Sequence, residues 1–124
     1  MATKLSSPKD IGLPYGSWKP FQKEALEEIL EARQKGTNIL FLDAPVSFGK
    51  SAVAVGLINA TKSRSIITTS TKYLSGQYVR DYPDMAQIRG RSNYPCILEG
   101  VPEGTTAATA PCQDRHFLCP VARL

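Results

Sequence analysis

The residues best equipped for chemistry are Ala44-Pro45-Val46-Ser47-Phe48-Gly49-Lys50-Ser51, a glycine-bearing loop closed by Lys-Ser. A loop of this kind holds phosphates when it joins a strand to the start of a helix. Its backbone N–H groups turn inward, and the helix N-terminus adds the positive end of its dipole. Lys50 would reach the β- and γ-phosphate oxygens of a nucleotide, with ATP the expected ligand. The Ser51 hydroxyl would ligate Mg²⁺, which takes few protein ligands alongside phosphate oxygens. The competing reading is a chance match in an ordinary turn. Glycine often stands where Ser47 sits, because close approach and positive φ favour it. Ser47 still offers a hydroxyl, and Phe48 is bulky beside it.

The elements that must position this loop are legible as pattern. Pro20 to Lys35 predicts a helix, with Phe21, Ala25, Leu26, Ile29 and Leu30 at helical spacing and Gly36 as the stop. The apolar run Asn38–Leu42 predicts a buried strand leading into the loop. Lys50 to Lys62 predicts a helix packed on a sheet, Ser65–Ser70 a second strand, Thr71–Asp81 a helix, and Met85–Arg89 a short third strand. This alternation predicts an α/β fold with a parallel sheet. Residues 1–17 read as a polar lead-in and 18–90 as a nucleotide-binding domain. Residues 91–124 read as an irregular cysteine-containing region, looping between Gly100 and Pro111. Two or three strands make a poor free-standing sheet, and the expectation is the front part of a larger protein.

In 124 residues with 42% hydrophobic and 21% charged content, a single globular domain is the expectation. The apolar stretches are too short to span a bilayer, and residues 1–10 lack the apolar core of a secretory signal. No membrane partner is expected, and a cytoplasmic location is the default, or the host cytoplasm for a phage-encoded chain. The net charge of +4 leans toward phosphate-bearing partners without requiring them. The pattern does not give an oligomeric state. Cys96, Cys112 and Cys119 all fall in the last 29 residues, and an odd number argues against a disulfide scaffold. Each can be a small buried hydrophobe, but confinement to one loop-rich segment favours shared metal ligation. His116 lies between two of them, and its plainer reading is a solvated loop histidine.

Taken in order, several segments resemble the front of a superfamily 2 DNA helicase of the iron–sulfur, XPD/DinG-like branch. Trp18-Lys19-Pro20-Phe21-Gln22 is similar to the upstream motif in which a glutamine recognises adenine, and Gln22 precedes Lys50 by 28 residues. Asp43-Ala44-Pro45 with Gly49-Lys50-Ser51 resembles motif I, with Ser47 as a departure from the usual glycine. Thr68-Thr69-Ser70-Thr71-Lys72, followed by Leu74 and Gln77, is similar to motif Ia, which lies along single-stranded DNA. Hydroxyls and one lysine suit such phosphate contacts, although taken alone the segment is better read as a plain β-strand with a Thr-rich helix cap. Gly90-Arg91-Ser92-Asn93-Tyr94-Pro95-Cys96 resembles the segment that introduces the first cluster cysteine.

The resemblance covers roughly residues 18–121 and implies an incomplete P-loop NTPase (RecA-like) sheet with flanking helices. It implies Thr69, Ser70, Thr71 and Lys72 as DNA contacts. It also implies Cys96, Cys112 and Cys119 as three of the four thiolates of a [4Fe–4S] cluster. Structural Zn²⁺ is the rival, since Cys₃His sites are common. The acidic motif that positions Mg²⁺ and water in such motors has no counterpart: Asp81 and Asp84 flank Tyr-Pro and do not fit. The expected function is therefore ATP binding by an N-terminal helicase segment, with little turnover alone. The alternatives are an autonomous small nucleotide- or nucleic-acid-binding protein and a cysteine-metal module. A P-loop kinase is conceivable, but the sequence has no acceptor-binding signature.

Overall fold

In a computed structural model of the chain, residues 5–113 are described. They fall into two units, Met1–Asp84 and Met85–Leu124. The first holds three helices: α1 (Gln22–Gln34), α2 (Lys50–Thr61) and α3 (Lys72–Asp81).

All three helices lie where the sequence pattern places them, and their ends have local causes. After α1, Gly36 N–H donates to Arg33 O and Thr37 N–H to Ala32 O, satisfying carbonyls of the last turn. At the other end, Phe21 is not part of the apolar face. It stands at the N-cap with φ 65 and is 75% exposed. The Thr71 hydroxyl caps α3 by accepting from Leu74 N–H at 3.2 Å.

Leu26 and Leu30 of α1 pack with Val53 of α2 and with Leu5, and Trp18, Ile29, Phe48 and Leu57 close around them. The helices approach closely at Gly56, where a Cβ would lie 3.0 Å from Leu26 Cδ2. The 1–17 stretch is more than a polar lead-in. It turns through a 3-10 segment, Pro8–Ile11, and buries Leu5, Pro8 and Leu13. Leu5 N–H donates to Glu27 Oε1 at 3.0 Å, tying this stretch to α1.

The expected parallel sheet is not formed, and the α/β, RecA-like architecture is corrected to a helical one. Among the described residues there is no strand. The single β-contact among them is an isolated antiparallel bridge between Pro95 and Thr106. None of the three predicted strands (38–42, 65–70 and 85–89) is seen. A helix closes its hydrogen bonds within its own segment, whereas a strand needs a second one alongside. Residues 38–43 and 66–70 make no backbone–backbone hydrogen bonds among the described residues. Most of their apolar side chains stay in solvent, with Phe41 95% and Ile66 90% exposed. The Ile-Leu-Phe-Leu run was read from its composition, which signals a wish for burial but does not supply the partner.

The N-terminal stretch meets the end of α3 through tyrosine hydroxyls: Tyr15 Oη and Tyr82 Oη lie 3.0 Å apart. Burial, and then this hydrogen bond, hold the Tyr82 phenol well above its ordinary ionisation range. An acid whose folded-state pKa is raised stabilises the fold below its unfolded pKa, here near 10. That stability is lost as pH rises through the interval above 10. Tyr82→Phe is expected to lower stability by about 1 kcal/mol at neutral pH. It should also flatten the alkaline fall, which urea unfolding at neutral and alkaline pH measures. A variant curve as steep as wild type would contradict this coupling.

The second unit turns through Arg91–Asn93 and Pro111–Gln113. Cys96 N–H donates to Thr105 O at 2.9 Å and Ala107 N–H to Tyr94 O at 2.8 Å. Between these arms lies an open cleft of about 410 Å³, lined by Tyr94, Cys96, Leu98, Val101, Glu103 and Thr105 among others. Among the described residues no helix is long and apolar enough to cross a membrane.

Candidate phosphate-binding loop

Ala44 to Ser51 fold as a tight loop opening directly into α2. Val46–Phe48 forms a single 3-10 turn, closed by Phe48 N–H donating to Pro45 O at 3.1 Å. Ser47 lies outside the left-handed region. Its replacement of the usual glycine therefore strains nothing in the backbone, and the bulky Phe48 packs on the core and anchors the loop. Gly49 has φ 85 and is the N-cap of α2.

Gly49 meets both demands that favour glycine. A side chain there would be strained, and its Cβ would run into Gln22 Nε2. Gln22 is 5% exposed. Its Nε2 donates to Phe48 O at 2.7 Å and to Gly49 O at 3.4 Å, while its Oε1 accepts from Lys19 N–H at 2.9 Å. The orientation of the amide follows from its partners: a backbone N–H can only donate and carbonyls can only accept. Lys19 also reaches the loop itself, its Nζ donating to Ser47 O at 3.1 Å.

Lys50 bends back over the loop, its Nζ donating to Ala44 O at 2.7 Å and Pro45 O at 3.1 Å. The N–H groups of Gly49, Lys50 and Ser51 have no acceptor among the described residues, nor does the Ser51 hydroxyl make a hydrogen bond there. Two ammonium groups and a run of unpaired donors at a helix N-terminus make a surface suited to an anion. Ser51, in the first turn of α2, fits the role of a hydroxyl ligand to Mg²⁺, an ion that would neutralise charge on phosphate oxygens. Val46 projects fully into solvent and has no polar part in this arrangement.

The segment similar to motif Ia is partly occupied by its own cap. Thr69 Oγ1 donates to Thr71 O at 3.1 Å, and Thr71 Oγ1 is the N-cap acceptor of α3. Ser70 and Lys72 are exposed with no partner among the described residues. In the second unit Cys96 is half-buried in the cleft wall and Cys112 is exposed, both as free thiols. Cys119 and His116 lie outside the described residues. Among the described residues no three Cys, His, Asp or Glu side chains come together as a metal site.

No protein-family model matches the chain, and neither a curated protein nor a solved structure shows significant similarity to it. The loop therefore has to be read from its own geometry. That geometry adds Lys19 and the anchoring role of Phe48 to the residues read from sequence. For Phe48 the only signal was its aromatic ring, the one large side chain of the loop besides the lysine. For Lys19 the signal was its place three residues before Gln22, on the turn entering α1.

Proposed function

We propose that residues 44–51 hold the triphosphate of Mg-ATP, and that the chain serves as the ATP-binding segment of a DNA helicase. One observation carries the phosphate reading. Lys50 is folded over a loop whose N–H groups at 49–51 are unpaired among the described residues. An arriving phosphate replaces two carbonyl acceptors with charged ones, which form stronger hydrogen bonds to an ammonium. The helicase assignment draws on the order of motifs along residues 18–96 and on the net charge of +4. Single-stranded DNA is the proposed second partner, through Ser70 and Lys72, by contacts that carry no sequence information.

Titration of the full chain with a fluorescent mant-ATP analogue in Mg²⁺ tests the phosphate reading. Saturable binding, displaced by unlabelled ATP and weakened by added salt, is the expected result. The absence of any binding would refute it. A salt-dependent fluorescence-anisotropy titration with a labelled oligonucleotide tests the second partner in the same way.

A further inference from the structure

We infer that the loop takes nucleoside triphosphates without reading the base, so that ATP, GTP and UTP are bound alike. This rests on the phosphate-binding reading above and adds to it a substrate class. An amide reads adenine by using both ends at once, accepting from N6–H and donating to N7. Gln22, the residue the helicase resemblance assigns to that task, has both ends engaged elsewhere. Its Nε2 holds the carbonyls of Phe48 and Gly49, its Oε1 holds Lys19 N–H, and the side chain is buried.

Turning this amide toward a base would break the contacts that shape the loop. Lys19 N–H and Phe48 O would lose the partner they have now, while Gly49 O would keep Ala52 N–H. Both contacts are partly buried, so giving them up costs free energy that water does not fully return. That cost offsets what a bidentate base contact would return in discrimination. The exchange yields no selectivity. Gln22 is instead a positioning residue, fixing the turn from which Gly49 and Lys50 face the phosphates. Lys19 supports the same conclusion, since its ammonium on Ser47 O adds a second cation at the loop. Binding energy is thereby concentrated on the part of the ligand that all nucleoside triphosphates share.

Competition against mant-ATP on the full chain in Mg²⁺ tests this, using ATP, GTP, UTP and inorganic tripolyphosphate. The expected result is that the three nucleotides displace the probe with affinities within about threefold of one another, with tripolyphosphate also competing. A preference for ATP over GTP of tenfold or more overturns the inference while leaving the phosphate reading intact. Failure of the probe to bind at all overturns both. Gln22→Ala provides a second readout: all three nucleotides should weaken by the same factor, and a selective loss of ATP would contradict a positioning role. The wild-type series needs no variant, so a poorly folding Gln22→Ala does not compromise the test.

Discussion

Lys50→Ala is expected to weaken Mg-ATP binding by about a hundredfold, equivalent to about 2.8 kcal/mol at 1.4 kcal/mol per tenfold change. The ammonium already lies over the loop, on Ala44 O and Pro45 O, and needs only to exchange these for phosphate oxygens. A charge-assisted hydrogen bond to phosphate is worth about 1.5–3 kcal/mol, and Lys50 has three donors to offer. Its loss should leave the fold nearly untouched. The side chain is exposed and both of its partners are backbone carbonyls at the surface, so stability should change by no more than about 0.5 kcal/mol. This separation makes the variant informative. Calorimetric titration should show the affinity falling while urea unfolding and circular dichroism stay level. Unchanged affinity would show that the loop does not use its lysine as a phosphate ligand. Lys50→Arg is expected to recover only part of the binding, because a planar fork does not reproduce a compact ammonium in a tight loop.

What the residues disclosed in advance was local, and what they hid was non-local. Helix α1 was legible from Leu26, Ile29 and Leu30 recurring on one face and from Gly36 after it, because a helix satisfies its backbone within its own length. The Lys50 start of α2 was legible because Gly-Lys-Ser marks a loop-to-helix junction. Asn38–Leu42 and Ser65–Ser70 were read as strands on equally good composition, yet strand formation depends on a neighbour that no single segment specifies. Among the described residues of the second unit the only β-contact pairs Pro95 with Thr106, a match no periodicity announced. The loop shows the same division. Gly49, Lys50 and Ser51 were legible as a motif. The engagement of Gln22 with Phe48 and Gly49 was not, because it joins residues 26 and 27 positions apart. Trp18 shows another non-local effect. It packs on the core, yet its Nε1 is buried without a partner among the described residues, and nothing in the structure explains this.

The contact between Gln22 and Gly49 yields the second large effect, and a four-protein comparison isolates it. Gly49→Ala forces a Cβ into a left-handed backbone at φ 85, which costs about 1–2 kcal/mol. The same Cβ meets Gln22 Nε2 and must displace it, weakening the hydrogen bonds to Phe48 O and Gly49 O. Those bonds are worth about 1 kcal/mol each, so a total loss of roughly 2–4 kcal/mol is expected from one added methyl group. Gln22→Ala alone should cost about 1–3 kcal/mol, because it leaves Phe48 O and Lys19 N–H without their partner and removes one of those on Gly49 O. In the double variant the collision is gone and only the backbone strain remains, so the two losses should fall short of additive by about 1–2 kcal/mol. Urea unfolding of wild type, the two single variants and the double variant measures that shortfall. Strict additivity would mean that Gln22 and Gly49 do not touch. Nucleotide binding should follow the geometry of the loop rather than its stability. Gly49→Ala should bind mant-ATP at least tenfold more weakly even at temperatures where it remains folded, because the strain lies in the turn that aims Lys50 and the N–H groups of α2 at the phosphates.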